Sequence, residues 1–190
     1  EEGRADKVFV RTNDEEVTYG ELAENVNRCG NALLGLGIAR GERVLMVIKD
    51  CPAFFYVYWG AIKAGIVPVA LNTLLRSADY RFMIEDSGCA ALVLSPEYDA
   101  EVEPAMDEAQ HKPDVVVRTE GEGGLGALMA AASPDLDPAP AAPTDDCFWL
   151  YSSGSTGQPK GVVHRQRDLI LTCVYYADGI LGVTEDDVFF

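Results

Sequence analysis

"RVLMVIKDCPAFFYVYWGAIKAGIVPVA", residues 43–70, holds two apolar runs on either side of a helical pattern. The first run, "RVLMVI", is unbroken, which is typical of a strand that is buried on both faces. Pro52 then begins a helix and Gly65 ends it, because proline suits the first turn and glycine suits the left-handed position after the last. "IVPVA" is the next strand, and Pro68 within it suggests an end or edge position.

The same alternation continues toward the C-terminus. The sequence predicts a helix from about Ser77 to Asp86, the strand "AALVL", a helix from Pro96 to about Gln110, and the strand "DVVVRT". Apolar strands that alternate with helices predict an α/β fold with a parallel sheet and right-handed crossovers. We therefore expect a parallel, helix-flanked sheet over residues 44–118.

The residues before this unit predict a hairpin and a long helix. "KVFVRT" and "EEVTY" are short extended runs around Asn13 and Asp14, which indicates a hairpin at the edge of the sheet. Thr18 and Glu21 then show the pattern of a capping box, and apolar residues follow at helical spacing. Gly37 stands where a left-handed residue is expected to end this helix.

A proline-rich stretch, "SPDLDPAPAAP" at residues 133–143, interrupts the alternation and reads as a stiff linker or surface crossing. We predict three parts: an α/β subdomain over residues 1–132, the crossing over residues 133–145, and residues 146–190 as the phosphate-binding loop segment and the start of the next subdomain. The strand "CFWLYS" follows the crossing, which leaves open that it belongs to a different sheet. The chain lacks an initial Met and ends in "TEDDVFF", which reads as a strand, so we expect it to be part of a longer protein.

Charge and cysteine content exclude several classes of protein. The net charge of −16 disfavours binding to nucleic acid or to anionic membranes. Five scattered cysteines, nowhere spaced CxxC, argue against a zinc site and a disulfide framework and favour reduced thiols in the cytoplasm. His111 and His164 lie far apart, so we predict no metal site. No apolar run reaches the length of a membrane span, so we expect no integral membrane association.

"YSSGSTGQPKGVVH", residues 151–164, combines glycines, hydroxyl residues and a lysine between apolar flanks. It nearly matches the phosphate loop GxxxxGK[ST], but Pro159 replaces the second glycine and Gly161 replaces the magnesium-binding hydroxyl residue. Backbone amides in such a run can turn inward around phosphate oxygens, while the hydroxyls and the Lys160 ammonium add further donors. The flanks "CFWLY" and "VVH" place the loop between two strands, which disfavours the alternative of a solvated linker.

This loop resembles the phosphate-binding signature of the adenylate-forming superfamily, which includes acyl-CoA synthetases, luciferases and peptide-synthetase adenylation domains. "VTYGEL" and "WGAIKAGIVPVALNTLL" resemble the first and second core motifs, and the three motifs occur in the expected order over the whole chain. "FWLYSSGSTG", "VALNTLL" and "DYRFMIEDS" look most like benzoate-CoA ligases and their aryl-CoA relatives. The resemblance implies the front part of the large N-terminal domain of such an enzyme.

The resemblance also implies a reaction. A carboxylate of the benzoate type is activated by ATP to an acyl-adenylate and then to an acyl-CoA, with release of pyrophosphate and AMP, so ATP, Mg²⁺ and coenzyme A are the implied cofactors and co-substrates. In such enzymes the loop holds the β- and γ-phosphates, and Lys160 would stabilise the departing pyrophosphate. The residues implied in phosphate binding are Ser152, Ser153, Gly154, Ser155, Thr156, Gly157 and Lys160.

Two other functions stay open from the sequence. One is a different adenylate former, either a fatty acyl-CoA synthetase or an adenylation domain that loads a carrier protein. The other is a non-catalytic nucleotide-binding module, because the superfamily's adenine, ribose and magnesium segments do not occur in these 190 residues. For the same reason we expect the 190 residues alone to be inactive. The expected location is cytoplasmic, the expected partners are a small carboxylate, ATP and CoA, and the oligomeric state stays open.

For three other groups of side chains the sequence favours packing or solvation over a functional role. His164 could contact ATP or substrate, but a histidine that ends a strand favours packing. Tyr56, Tyr58 and Trp59 form an aromatic cluster on the helix that Pro52 begins, for which core packing is the favoured interpretation. The acidic run "EDD" near the C-terminus predicts a solvated turn before a strand.

Overall fold

The computed structural model describes residues 3–153 and 157–189, which contain eight β-strands and six α-helices. The strands are β1 (Val8–Arg11), β2 (Glu16–Thr18), β3 (Arg43–Val47), β4 (Val67–Ala70), β5 (Ala91–Leu94), β6 (Val115–Arg118), β7 (Asp146–Ser152) and β8 (Lys160–Arg165). The helices are α1 (Tyr19–Gly35), α2 (Pro52–Ala64), α3 (Ser77–Ser87), α4 (Asp99–Glu108), α5 (Leu125–Ala131) and α6 (Gln166–Thr172). A 3₁₀ turn, Pro96–Tyr98, precedes α4, and a π-helical segment, Cys173–Asp178, follows α6.

Six strands form the main sheet, in the order β6-β5-β3-β4-β7-β8. Neighbouring strands from β6 to β7 pair in parallel, and β8 alone pairs antiparallel, with β7. The central strand β3 is held on both sides, since Val44 pairs with Pro68 of β4 and with Ala91 of β5. The prediction of a parallel, helix-flanked sheet over residues 44–118 is confirmed.

The apolar runs are unbroken because both faces of the sheet are covered. Along β3, Val44 and Met46 pack on the face that carries α1, α2 and α5, while Leu45 and Val47 pack on the face that carries α3 and α4. All four side chains are fully buried. Each such residue contributes about 1.5–3 kcal/mol of stabilisation through removal of apolar surface from water.

The helix ends follow the residues that predicted them. The Thr18 hydroxyl accepts a hydrogen bond from the Glu21 amide at 3.2 Å, and the Glu21 carboxylate accepts one from the Thr18 amide at 2.8 Å. The Thr18 amide, together with the Thr18 hydroxyl that donates to the same carboxylate at 3.0 Å, lowers the pKa of Glu21 below its ordinary value. After the last turns of α1 and α2, Gly37 and Gly65 take left-handed backbone angles, φ +87° and +78°. The capping box and both glycine predictions are confirmed.

Helices α1 and α2 cross at two glycines. A Cβ atom on Gly60 would lie 2.9 Å from the amide nitrogen of Gly30 and 2.9 Å from the carbonyl oxygen of Val26. A Cβ atom on Gly30 would lie 2.8 Å from the Gly60 carbonyl oxygen. The two backbones are therefore close enough that neither position has room for a side chain, and this contact fixes α1 against α2.

The predicted hairpin exists, but its predicted place at the edge of the sheet is wrong. Strands β1 and β2 pair antiparallel as a separate two-stranded sheet. Phe9 explains the difference, because its ring packs edge-on against Tyr19 of α1 and Phe55 of α2, at centroid distances of 5.2 and 5.0 Å. The hairpin buries its aromatic residue on the helix layer instead of extending the sheet.

Pro68 lies in an interior strand, so the edge alternative predicted for it is wrong. The amides of Val67 and Leu71 donate toward β3, to the carbonyls of Glu42 and Met46, at 2.8 and 2.9 Å. Because successive amides of a strand point to opposite sides, the nitrogen of Pro68 faces β7. The pairing of β4 with β7 begins only at Val69, so the missing N–H interrupts no ladder hydrogen bond.

The proline-rich crossing lies on α1 and α2. The side-chain amide of Asn31 donates to the carbonyls of Ser133 and Asp135 at 2.9 and 2.8 Å, and the amide of Ala139 donates to Lys63 O at 2.8 Å. The crossing thus carries the chain back over the helices to the free side of β4. There β7 pairs in parallel with β4, so the alternative of a different sheet is wrong. The subdomain boundaries at residues 132 and 146 stay a prediction.

The last described residues contain the predicted acidic turn without the predicted strand. The Asp187 carboxylate accepts hydrogen bonds from the Thr184 amide at 2.6 Å and from the Thr184 hydroxyl at 3.0 Å. Val188 and Phe189 follow as irregular chain with exposed side chains. No neighbouring strand within the described ranges is available to pair with them.

Candidate functional site

The candidate loop connects β7 to β8 at the carboxyl edge of the sheet. β7 runs parallel to β4 and ends at Ser152, and β8 returns from Lys160 as an antiparallel partner. The prediction that the loop lies between two strands is therefore confirmed. Loops at this edge of a parallel sheet are where α/β proteins bind ligands.

The hairpin brings two predicted site residues together. Ser152 and Lys160 are directly opposite in the β7–β8 register, so their side chains leave the same face of the hairpin, and both residues are exposed. Ser153 is also exposed, and Gly157 has a left-handed φ of +92° that a residue with a Cβ rarely adopts. The other predicted residues, Gly154, Ser155 and Thr156, lie outside the described residues. The phosphate-binding role of all seven stays a prediction.

Lys160 carries an exposed ammonium group at the start of β8. Within residues 3–153 and 157–189 it has neither an ion-pair partner nor a side-chain hydrogen bond, unlike Lys49, which contacts both Glu97 and Glu120 at 2.6 Å. Lys160 is also the one lysine or arginine between Arg118 and Arg165 in the sequence. A cation without a protein partner beside a polar loop is chemically suited to a phosphate group.

A row of aromatic contacts supports the hairpin from the α2 face of the sheet. The His164 ring stacks on Phe148 at a centroid distance of 4.5 Å and an interplanar angle of 6°, which supports the packing interpretation of this histidine. Tyr58 links Phe148 to α2, and burial raises the pKa of its hydroxyl above the ordinary value. From the N-terminal hairpin to β8 the row consists of Phe9, Phe55, Phe54, Tyr58, Phe148 and His164.

The β4–α3 loop, residues 71–76, lies next to the candidate loop because β4 and β7 are neighbouring parallel strands. It is fixed from inside: the Asn72 side-chain oxygen accepts from the Leu74 amide at 2.8 Å, and the hydroxyl of buried Tyr80 donates to the Asn72 carbonyl at 3.0 Å. Leu74 points outward and is 85% exposed. The sequence indicated this segment through two resemblances, to the second core motif and, in "VALNTLL", to benzoate-CoA ligases.

The helical structure of residues 166–178 was not predicted from the sequence. They form α6 and the π-helical segment, and their apolar side chains are largely exposed, with Ile170 and Tyr175 each at 68%. One local signal was present, since the Asp168 carboxylate accepts from the Arg165 amide at 2.8 Å in the manner of a capping residue. The apolar residues gave no clear face, which is why the helix was not predicted.

The described residues offer neither a metal-binding cluster nor a membrane-spanning helix. No group of three or more His, Cys, Asp or Glu side chains there could hold a metal ion. None of the helices in that part of the chain is long and apolar enough to cross a membrane. The chemistry that the hairpin offers is thus hydroxyl, backbone amide and ammonium donors.

Comparison with known proteins assigns the family. Residues 1–190 match the family described as "AMP-binding enzyme". The chain belongs to the AMP-binding enzyme family. Membership confirms the resemblance to adenylate-forming enzymes that the loop and the two other motifs indicated.

Aryl-CoA ligases are among the most similar members of this AMP-binding family. The chain is 45% identical, over 99% of its length, to a benzoate–CoA ligase of Thauera aromatica. Its fold superposes with a TM-score of 0.89 on a benzoate CoA ligase from Burkholderia xenovorans LB400, at 36% identity over 98% of the chain. It superposes with a TM-score of 0.91 on an anthranilate CoA ligase solved with anthranoyl-AMP, at 30% identity over 97% of the chain.

The chain spans about a third of the length of these AMP-binding relatives. It covers 36% of the Thauera ligase, 37% of the Burkholderia ligase and 35% of the anthranilate ligase. The fold prediction, a helix-flanked sheet from the N-terminal domain of an adenylate-forming enzyme, is confirmed by these superpositions. The likeness to benzoate-CoA ligases, predicted from three short segments, is confirmed as well.

Proposed function

We propose that the full-length protein activates an aromatic carboxylate of the benzoate type, first to an acyl-adenylate and then to a CoA thioester. The observation that carries the proposal is the 45% identity to a benzoate–CoA ligase over nearly the whole chain. The hairpin supports it, because Ser152 and Lys160 present polar donors from one face at the carboxyl edge of the sheet. ATP and CoA are then the co-substrates.

The proposed first step requires stabilisation of a leaving group. A carboxylate oxygen of the substrate attacks the α-phosphorus of ATP, and the bond from that phosphorus to the bridging oxygen breaks, which releases pyrophosphate. Negative charge accumulates on the β- and γ-phosphates, where the hydroxyls of Ser152 and Ser153 and the ammonium of Lys160 would donate hydrogen bonds. These residues position and stabilise, and none acts as a nucleophile or a base.

In the second step the thiol of CoA attacks the carbonyl carbon of the acyl-adenylate, and AMP leaves. No pyrophosphate is present at this stage, so the donors of the loop have no developing charge to stabilise. The two half-reactions should therefore depend on Lys160 to different degrees. Mg²⁺ would neutralise phosphate charge when it accompanies ATP, but the described residues contain no acidic cluster that fits the ion, and we assign it to no residue here.

A pyrophosphate exchange assay tests the proposal. The full-length protein should incorporate labelled pyrophosphate into ATP when benzoate or a hydroxybenzoate is supplied, and should release AMP once CoA is added. Exchange with long-chain fatty acids or amino acids alone would mean a different adenylate former. ATP binding without exchange for any carboxylate would mean a non-catalytic nucleotide-binding module.

The activity of these 190 residues, their cellular location and their division into parts are also proposals. We expect the 190 residues alone to be inactive, because the phosphate loop would be the only part of the ATP site that they supply. A cytoplasmic location fits the five cysteines, all of which are free thiols, three of them buried. We also propose that residues 1–132 and residues 146–190 are separate parts of the chain. Strand β7 of the second part continues the sheet of the first.

A further inference from the structure

Tyr151 links the candidate loop to helix α3. Its hydroxyl donates a hydrogen bond to a carboxylate oxygen of Asp86, one residue before the end of α3, at 2.7 Å. This contact joins residues that are 65 positions apart in sequence. Tyr151 immediately precedes Ser152, so the bond fixes the chain at the point where β7 enters the loop.

The ring of Tyr151 also holds the returning strand. Tyr151 lies opposite Gly161, and a Cβ atom on Gly161 would be 3.4 Å from Cζ of Tyr151, 3.3 Å from Cε3 of Trp149 and 3.6 Å from Asp86 Oδ2. The two aromatic rings therefore cover the backbone of Gly161 so closely that a side chain would press on them. Lys160 precedes Gly161 in β8, so the two rings hold the backbone next to the residue whose side chain leaves the opposite face of the hairpin.

We propose that Tyr151 and Asp86 form a positioning pair that sets the β7–β8 hairpin, and with it Ser152 and Lys160, for contact with the phosphates of ATP. This inference rests on the proposed function, because it gives the pair a role in the adenylation step. Neither residue touches the substrate in this account. The pair acts through the hairpin that it fixes.

The location of the pair separates this role from core packing. Asp86 is exposed and Tyr151 is half-buried at the rim of the cluster formed by α3, α4 and the sheet, so loss of the hydrogen bond leaves that cluster intact. Burial, together with the bond to Asp86, raises the pKa of Tyr151 above its ordinary value. The hydrogen bond ties the end of β7 to the end of α3 and so restricts the angle at which the hairpin leaves the sheet.

Tyr151→Phe is the direct test, because it removes the hydroxyl and keeps the ring over Gly161. In the full-length protein it should slow benzoate-dependent pyrophosphate exchange about tenfold, the effect of losing a hydrogen bond to a charged group. Formation of benzoyl-CoA from preformed benzoyl-adenylate should stay at the wild-type rate. The split between the half-reactions is a readout that a merely structural role would not produce.

Asp86 offers a matched rescue. Asp86→Asn keeps an oxygen that can accept from Tyr151 and should retain most of the exchange activity, whereas Asp86→Ala should lose as much as Tyr151→Phe. The double variant Tyr151→Phe, Asp86→Ala should lose no more than either single variant, because both remove the same bond. Arg81→Gln is the control, because Arg81 lies on the same helix as Asp86 but its 3.1 Å ion pair is with Glu108 of α4.

Amide hydrogen exchange makes the test independent of activity. Tyr151→Phe and Asp86→Ala should speed exchange in a peptide that covers residues 157–165 and leave a peptide from residues 43–47 unchanged. If the wild-type protein shows no pyrophosphate exchange with any aromatic acid, the proposed function is wrong, and the amide data still decide whether the pair fixes the hairpin. Unchanged amide exchange, or equal losses in both half-reactions with a lower melting temperature, would overturn the positioning role.

Discussion

Two regions of the sheet differ in how their side chains are used. In the first, β3 to β6 with helices α1 to α4, the strands β3 and β5 are almost entirely buried, between helix layers on both faces. In the second, residues 146–178, β8 is mostly exposed and the helix after it is exposed along most of its length. We infer that the first region supplies stability, and we propose that the second presents polar groups to the phosphates of ATP. Substitutions should therefore separate cleanly into losses of stability and losses of activity.

The largest effect is expected in the buried region. Leu45→Ala removes a fully buried side chain from the middle of β3 and leaves a cavity between α3 and the sheet. The free energy of unfolding should fall by about 4 kcal/mol, as for other buried leucines truncated to alanine. Urea unfolding followed by circular dichroism measures this change. A loss below about 1 kcal/mol would mean that the site collapses around the alanine, and that the two regions are less distinct than we infer.

Lys160→Ala should give the converse result. The side chain is exposed and has no ion-pair partner among the described residues, so stability should stay at the wild-type value. The adenylation rate should fall, because one charge-stabilising donor is lost. The activation free energy of this step should rise by on the order of 3 kcal/mol. Lys112→Ala, which removes the same charge from an exposed site before β6, is the control for the adenylation rate alone. It should lower stability, because Lys112 Nζ donates to the carbonyls of Met106 and Asp107 at 2.9 Å.

The informative comparison for Lys160 is between half-reactions. Pyrophosphate exchange and thioester formation from preformed acyl-adenylate are measured separately in the wild-type and variant full-length proteins. Thioester formation should change little, since it has no departing pyrophosphate. Equal losses in both steps would contradict the leaving-group role and point to the fold or the CoA step instead.

Gly60→Ala tests whether packing in the first region extends to its helices. The new Cβ atom would lie 2.9 Å from backbone atoms of Gly30 and Val26, so α1 must move away from α2. We expect a loss of about 2 kcal/mol in stability, typical of an overpacked contact. Gly126→Ala, on α5 where no atom lies within 4 Å of the added Cβ, is the control and should be neutral or stabilising in thermal unfolding.

The smallest effect concerns the entry to α1. Thr18→Ala removes the hydroxyl that accepts from the Glu21 amide, and should cost about 1 kcal/mol of stability. Thr18→Ser keeps an acceptor and should restore most of it in the same unfolding assay. The Thr18 hydroxyl also donates to the Glu21 carboxylate at 3.0 Å and, after the Thr18 amide, helps to lower the pKa of Glu21. The difference between Thr18→Ala and wild type should therefore shrink as pH falls and this carboxylate becomes protonated. A difference that grows toward low pH would contradict the capping account.

The sequence predicted most of the first region because its signals are local. Continuous apolar runs mark strands that are covered on both faces, and Pro52 and Gly65 mark the ends of the helix between two of them. Each signal depends on residues within one or two turns of each other. The positions of β3 to β6 in the chain and their parallel pairing therefore followed from the sequence.

The errors came from contacts between residues that are distant in sequence. Nothing near Phe9 indicates that its ring packs on α2, so the first hairpin was placed on the wrong sheet. Nothing in residues 133–145 shows that Asn31 and Lys63 bind them and return the chain to the side of β4. The Tyr151–Asp86 bond also joins distant residues, and no sequence pattern marks it. At the site, the sequence predicted the types of the loop residues, but it did not predict the contacts that hold the loop in place.

Pro68 has a consequence for strand pairing while the chain is being synthesised. Synthesis proceeds from the N-terminus, so β4 has only one neighbour until residues 146–152 have left the ribosome. During that interval its outer side is a temporary edge, the kind of surface on which nascent chains join one another into aggregates. A proline whose nitrogen faces that side withholds one of the donors that an intruding strand would need. Pro68 therefore interrupts no hydrogen bond of the finished sheet, and it disfavours pairing of another chain with β4 before β7 is synthesised.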